Sequence, residues 1–151
     1  MKARFLSYSI FSTLTISSLA YAGQVHKWGD VDAGRRHAVA IDPQGNLYAW
    51  GDNTYKSLSK SLPGQVDTPW LLSDAGNWRL VEAGRQETLM INDSGELYRV
   101  VRELDNPNEI EKIQAKDSNG QNIDLQWQRV SSNYYATFAI TTNGELYGFG
   151  N

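Results

Sequence analysis

Few side chains in this sequence have the type and spacing to make or break a bond. His26 and His37 are its only imidazoles, and cysteine is absent. Neither histidine lies in an H-E-x-x-H or H-x-H setting, so no zinc ligand set is legible. Without cysteine there are no disulfides, thiolate ligands or thiol nucleophiles. No G-x-S-x-G elbow marks a serine nucleophile, and no G-x-x-x-x-G-K-S loop would cradle phosphates. Two pairs of carboxylates remain, Asp30 with Asp32 and Asp42 with Asp52, since paired acids can run hydrolysis. The acid of Asp32 recurs as Glu82, however, which reads as the exposed face of a strand. Residues Asp117 to Asp124 have the polar character of a calcium loop, but the glycine is misplaced and the closing bidentate glutamate is missing. The reading is a non-enzymatic chain with no catalytic, cofactor-binding or metal residue, and no cofactor.

Binding is the chemistry left. Trp28, Trp78 and Trp127 have the surface to stack on sugars or bases, but their regular placement argues for packing between repeats, where an indole buries much apolar area. Trp50 and Trp70 do not recur and are better candidates for a contact surface. Arg35-Arg36 and Arg85 each follow an Ala-Gly pair, which suggests a loop rim facing a partner. His37 holds a repeat-defined place beside a strand and reads as structural, whereas His26 lies in a short lead-in and reads as solvated. Asn92-Asp93-Ser94 has the form of a glycosylation triplet, but it falls in a tight turn.

The elements that position these residues come from one phrase stated three times. Trp28, Trp78 and Trp127 each open a copy, and Val31, Val81 and Val130 follow. Then come Ile41, Ile91 and Ile140, the glycines Gly45, Gly95 and Gly144, and the pairs Leu47-Tyr48, Leu97-Tyr98 and Leu146-Tyr147. A fixed repeat of this length marks an architecture of stacked units. The alternation in Val31-Asp32-Ala33 and Val81-Glu82-Ala83 predicts a first strand with one buried face. His37–Ile41, Thr88–Ile91 and Ala136–Ile140 are more continuously apolar and predict second strands buried on both faces. Asp42-Pro43-Gln44-Gly45, Asn92-Asp93-Ser94-Gly95 and Thr141-Thr142-Asn143-Gly144 are turns whose final glycine suits a left-handed residue. The chain returns at Leu47–Trp50, Leu97–Val101 and Leu146–Phe149. Thr68–Leu72 and Ile110–Gln114 offer a fourth strand, the latter with spacing that also permits a helical turn. Each copy is thus an antiparallel meander of three to four strands, which is the pattern of a β-propeller blade.

The ends of the chain read differently. Lys2 and Arg4 precede a mostly apolar, uncharged run from Phe5 to Ala20, and Ala20-Tyr21-Ala22 offers a small-x-small cleavage site. Residues 1–22 are therefore expected to be a helical secretory signal peptide, and Gly23 the first mature residue. The run is interrupted by serines and threonines and is poorly suited to span a membrane. Over the 151 residues, 14 basic and 17 acidic side chains give a net charge of −3 with both signs scattered. No basic run exists, so nucleic acid is not the expected partner. No second apolar stretch of spanning length occurs, so the mature chain is not expected to cross a membrane.

Residues Val31 to Asn53 resemble a repeat of the regulator of chromosome condensation family. The pattern V-x-A-G-x-x-H-(S/T)-x-A-(L/I), followed by G-x-(L/V)-Y-x-W-G-x-N, is met at most positions from Val31 through His37, Gly45 and Trp50. The resemblance extends over nearly all of residues 28–151. It implies a propeller, usually of seven blades, in a family that mostly binds macromolecules. Family roles include nucleotide exchange on a small GTPase, inhibition of secreted enzymes and light sensing. There are departures. Lys56-Ser57-Leu58-Ser59 keeps only the leucine of G-Q-L-G, and Arg99-Val100-Val101-Arg102 replaces W-G-x-N in the second copy. The third has Ser132-Asn133 for Ala-Gly and ends at Phe149-Gly150-Asn151, while Glu87 and Ala136 stand where His37 stands.

The expected organisation is a signal peptide at 1–22 and a propeller-repeat region at 23–151, with repeats at 28–77, 78–126 and 127–151, the last incomplete. About two and a half repeats cannot close a seven-bladed ring, and blades left at an open end keep apolar faces wet. A truncated propeller, an assembly of further copies through the open ends, or an open arc completed by a partner would each resolve this, and truncation is favoured. The functional expectation is a periplasmic or secreted, non-enzymatic protein-binding module whose partner and contact residues the sequence does not name. The alternatives are a guanine nucleotide exchange factor for a small GTPase, or a proteinaceous inhibitor of a secreted hydrolase.

Overall fold

A computed structural model describes residues 27–133 and 136–149. The expected signal peptide, His26 and the last two residues lie outside them. Thirteen strands follow in order. The first four, β1 (Asp30–Ala33), β2 (His37–Ile41), β3 (Leu47–Asp52) and β4 (Gln65–Ser73), form one antiparallel sheet in chain order. The next four, β5 (Trp78–Ala83), β6 (Thr88–Asn92), β7 (Leu97–Val100) and β8 (Ile110–Lys112), form a second. A two-stranded hairpin, β9 (Ala115–Lys116) with β10 (Asn122–Ile123), occupies the connection. The third sheet holds β11 (Trp127–Ser132), β12 (Thr137–Thr141) and β13 (Leu146–Phe149). These sheets are blades 1, 2 and 3 of an all-β, partial propeller. Both proposed fourth strands form, and Ile110–Lys112 is strand, with no helical turn.

The repeated residues do the same work in each blade. Trp28, Trp78 and Trp127 meet Tyr48, Tyr98 and Tyr147 edge to face at 5.3, 5.2 and 5.4 Å between ring centroids. This arrangement sets the positive ring edge against the negative face. Gly45, Gly95 and Gly144 have φ of 79°, 76° and 86°, the left-handed bulge that lets a type I turn join antiparallel strands. At the first position of each turn a short side chain caps the loop. Asp42 accepts from the Gln44 and Asn46 amides, Asn92 from the Glu96 amide and Thr141 from the Glu145 amide.

Two apolar layers lie between the sheets. Val39, Ile41, Leu47 and Leu58 of blade 1 pack on Trp78, Val81 and Met90 of blade 2. Leu89, Ile91 and Leu97 of blade 2 pack on Trp127, Val130 and Ala139 of blade 3. Blade 2 is thus enclosed, and every residue of β6 is buried. The expectation of two buried faces fails for the third second strand: β12 alternates, with Phe138 and Ile140 outward. No further sheet covers it among the described residues.

Candidate interaction surface

The meander sorts the connections onto two ends of the blades. At one end lie the loops that follow β1, β3, β5, β7 and β11; at the other lie the glycine turns that follow β2, β6 and β12. Asp42 begins a glycine turn and Asp52 ends β3 at the loop end, so the structure does not bring that pair of carboxylates together. Asp52 instead accepts from Thr54, whose amide lies at 2.7 Å and which chiefly holds its carboxyl below the usual range, and from Arg36 Nη1 at 2.9 Å, which adds to the effect.

Asp30, Asp32 and Glu82 have a different role from the one their alternation suggested. All three are half-buried between blades. Asp30 Oδ2 accepts from the Val81 amide at 3.0 Å, and Asp32 Oδ2 from the Ala83 amide at 2.6 Å. One repeat later, Glu82 Oε1 accepts from the Ser132 amide at 2.8 Å. Amides on the free edge of a first strand need a partner once buried, and a carboxylate on the preceding blade supplies one. Burial raises the Glu82 pKa, against the lowering effect of the Ser132 amide.

Above these clasps the backbones close in. A Cβ on Gly34 would lie 2.7 Å from the Ala83 carbonyl oxygen and nearer still to that of Gly84, so only glycine fits. A strap completes each junction. His37 Nε2 lies 2.9 Å from Thr88 Oγ1, whose hydroxyl donates to the Ser57 carbonyl at 2.7 Å. The hydroxyl proton being used, Nε2–H of a neutral imidazole donates to the threonine, and burial holds the His37 pKa below its ordinary value. In the next junction Glu87, at the place of His37, accepts from Thr137 Oγ1 at 2.8 Å. A histidine in one repeat and a glutamate in the next tie the same two strands, so His37 is structural.

The loop after β3 is built around Asn53, which is fully buried. Its Nδ2 donates to the Ser59, Leu62 and Pro63 carbonyls, and its Oδ1 accepts from the Leu58 amide at 2.9 Å. Leu58 is buried below it. Lys56, where the family pattern has glycine, sits at φ 59°, a conformation that costs a residue with a Cβ about 1 kcal/mol. Ser59 Oγ donates to Glu109 at 2.7 Å, Ser61 Oγ also reaches that carboxylate, and Lys60 binds the Asn106 and Asn108 carbonyls. The loops of blades 1 and 2 are thereby fastened to each other, through positions that no repeat periodicity marks.

The loop end is close to charge balance and the turn end leans acidic. The loop end carries Arg35, Arg36, Lys56, Lys60, Arg85 and Arg102 together with Asp52, Glu87, Glu103, Asp105 and Glu109, and Arg36 is paired with Asp52. The turn end carries Asp42, Asp74, Asp93, Glu96, Asp117, Asp124 and Glu145 against Arg79, Lys112 and Lys116. A polar groove of 580 Å³ opens there between blades 2 and 3, lined in part by Glu96, Lys112, Asp124 and Glu145. Lys112 donates to Glu96 at 2.8 Å and, with Asn92 and Tyr98, pulls the Glu96 pKa down to about 2. Asp117 accepts from the Asn119 and Gln121 amides in the β9–β10 turn, so its carboxylate caps a hairpin. Asn92 is 5 % exposed and engages Glu96, which removes the glycosylation triplet from the surface. Among the described residues no group of three or more His, Asp or Glu is arranged to hold a metal ion, and no helix is long and apolar enough to cross a membrane.

Of the tryptophans, Trp78 and Trp127 are buried between blades as expected, while Trp28 is 37 % exposed. Trp70 is 53 % exposed and stands on the outer strand β4; Trp50 is half-buried, 6.3 Å from Trp28.

Comparison with known proteins agrees with this geometry. The family model described as the regulator of chromosome condensation (RCC1) repeat matches residues 30–56. The human regulator of chromosome condensation is 30% identical over 142 residues, covering 80% of this chain and 34% of that protein. Two crystal structures of the yeast protein Prp20, one bound to Kap60, each have a TM-score of 0.60 at 20% identity. Each covers 85% of this chain, and 33% and 34% of the respective Prp20 chains. The chain thus spans about a third of the length of the relatives it matches. The matched repeat, the named relative and the three blades together support the regulator of chromosome condensation repeat family for this chain.

Proposed function

We propose that this chain is an exported, non-enzymatic protein-binding module that offers the inner arginines of its loop end to an acidic surface on a partner. The matched placement of Arg35 and Arg85 on the loop end carries the reading. Arg35 and Arg85 hold corresponding places beside the close-packed Ala-Gly turns, where the blades are most rigidly joined, and rigid scaffolds with variable loops suit recognition. Complementary charge raises association rate and selects against wrong partners. The Prp20p structure, described with its binding to Gsp1p and histones, lends the reading support by analogy. Export rests on residues 1–22 as a cleaved signal and leads to a periplasmic or secreted product. The open ends of the blade row offer a second contact, through which copies of the chain associate.

Affinity capture from the extracytoplasmic fraction tests the reading. Arg35→Glu with Arg85→Glu is expected to lose a partner that the parent retains at low salt and releases at high salt. Capture that ignores both substitutions would refute the loop end as the surface. N-terminal sequencing of the exported protein is expected to begin at Gly23. The second reading is guanine nucleotide exchange on a small GTPase, favoured by the 30% identity to the human regulator. Accelerated release of a fluorescent nucleotide from a GTPase on adding the chain would establish it in place of simple binding.

A further inference from the structure

The same strap is built from a histidine in one junction and from a glutamate in the next. His37 is 4 % exposed, and Thr88, its partner on blade 2, is wholly buried. Thr88 in turn donates to the Ser57 carbonyl, in the loop that Asn53 organises. The strap therefore joins three pieces, β2, β6 and the loop after β3, through one imidazole. The chain is also close-packed there, since a Cβ on Gly51 would lie 2.7 Å from the His37 Cα. Because Nε2–H serves the threonine, Nδ1 is the atom left to take a proton. The charges that face the ring are already engaged. Asp32 of β1 accepts from the Ala83 amide, and Asp52 of β3 accepts from Thr54 and Arg36. From the β5–β6 connection the ring meets the Glu87 carbonyl, while the Glu87 carboxylate turns to Ser132 and Thr137 of blade 3. In the same connection Arg102 is bound to the Gln86 carbonyl. Thr88 of β6 and the Ser57 carbonyl of the loop bring no charge.

We propose that His37 is a proton-operated latch, which closes the loop end between blades 1 and 2 when neutral and opens it on taking a proton at Nδ1. A buried imidazolium needs a second acceptor and has lost its hydration. Opening the strap supplies both, because water then reaches the ring. Burial outweighs the pull of Asp32 and Asp52 and holds the His37 pKa below its ordinary 6.5. A group with a depressed folded pKa stabilises the closed form above that ordinary value. The contribution is lost as pH falls through the folded value, so mild acid loosens the joint. Histidine is the side chain whose ordinary pKa lies in this range. The junction between blades 2 and 3 has Glu87 in that place and no imidazole to protonate, so only one junction carries the latch. Arg35 and Arg85 stand beside it on blades 1 and 2, and opening changes their separation. Release of an acidic partner in mild acid follows, a consequence that rests on the loop-end reading above.

Amide hydrogen exchange of the full chain from about pH 7.5 to about pH 5.5, corrected for the intrinsic pH dependence of exchange, tests this. The reporter is the buried Leu58 amide, which donates to Asn53 Oδ1 beside the strap. Its protection should fall severalfold, with about tenfold as the limit that an open-state histidine of ordinary pKa sets. His37→Gln keeps a donor for Thr88 and takes no proton, so its protection should stay level over the same range. Glu82, whose carboxyl burial raises, titrates in parent and variant alike, so the comparison isolates His37. If the variant folds poorly, the imidazole carbon signals of the parent give a second reading, with His26→Gln to assign them. His37 should then titrate below 6.5, and the loss of protection should track it. Level protection at Leu58 in the parent, a fall that persists in His37→Gln, or His37 titrating at or above 6.5 would overturn the proposal. No partner takes part in these measurements. Capture that ignores Arg35 and Arg85 strikes only the loop-end reading, and level protection strikes only the latch, so the two fail separately.

Discussion

Blades 2 and 3 use the same residue types at the same places, yet β6 is buried at every position and β12 at every other one. Leu97 is fully buried and its counterpart Leu146 is 66 % exposed. The difference lies in the neighbours: among the described residues blade 2 has one on each side, and blade 3 has one. A repeat sequence encodes faces, and burial comes from what is set against them, which is why stability in such proteins is shared between adjacent units.

The largest test of that comparison uses the tryptophans. Trp127 is 2 % exposed between blades and Trp28 is 37 % exposed at the open end. Trp127→Ala is expected to cost about 4 kcal/mol in denaturant unfolding, and Trp28→Ala about 1 kcal/mol. Equal costs would break the claim that position in the row decides burial.

Next come the glycines at the close approach. Gly34→Ala drives a methyl into the backbone of Ala83 and Gly84 and is expected to cost about 3 kcal/mol. Gly84→Ala meets Ser132 Oγ at 2.7 Å and Glu87 Cγ at 2.9 Å. Those are side-chain atoms that can shift, so about 1 kcal/mol is expected there. Lys56→Gly should stabilise by about 1 kcal/mol, because it relieves the left-handed strain of blade 1's loop. Blade 2 has no counterpart to gain from.

The smallest effect is electrostatic. Glu96, with its pKa lowered to about 2 by Lys112, Asn92 and Tyr98, binds its proton less tightly folded than unfolded. Its contribution is complete above the ordinary carboxylate pKa of about 4.5 and is lost as pH falls towards 2. The side chain is partly exposed, so solvent screens the effect. Thermal melts of Glu96→Gln against the parent should differ at neutral pH and converge near pH 2. A difference that persists in acid would place the group's role elsewhere.

The strands and turns were legible because period-two alternation and glycine-closed turns are local signals, and the recurring Trp, Val, Ile, Gly, Leu and Tyr fixed the blades. The fourth strands were legible too, since Trp70–Leu72 is a short apolar run and Ile110 and Ile113 frame a charged pair within Ile110–Gln114. The acids were misread, because alternation around Asp32 and Glu82 places them off the apolar face without revealing an unpaired edge on the next blade. The Thr88 and Thr137 straps were also missed. Each joins residues about one repeat apart, and His37 and Glu87 share no residue type to advertise a shared task. The fastening of Lys60, Ser59 and Ser61 to the loop around Glu109 carried no sequence signal, since it joins two irregular loops. Both signs of charge are scattered along the chain, and only the meander brings Arg35 and Arg85 to one end.

Amide hydrogen exchange at Ala83 and Ser132 tests most directly whether one blade is bound to the next by a repeated carboxylate clasp. Both amides should exchange slowly in the parent protein. Asp32→Ala should expose Ala83 alone to fast exchange, and Glu82→Ala should expose Ser132 alone. Fast exchange at either amide in the parent, or protection that survives removal of its carboxylate, would contradict the account.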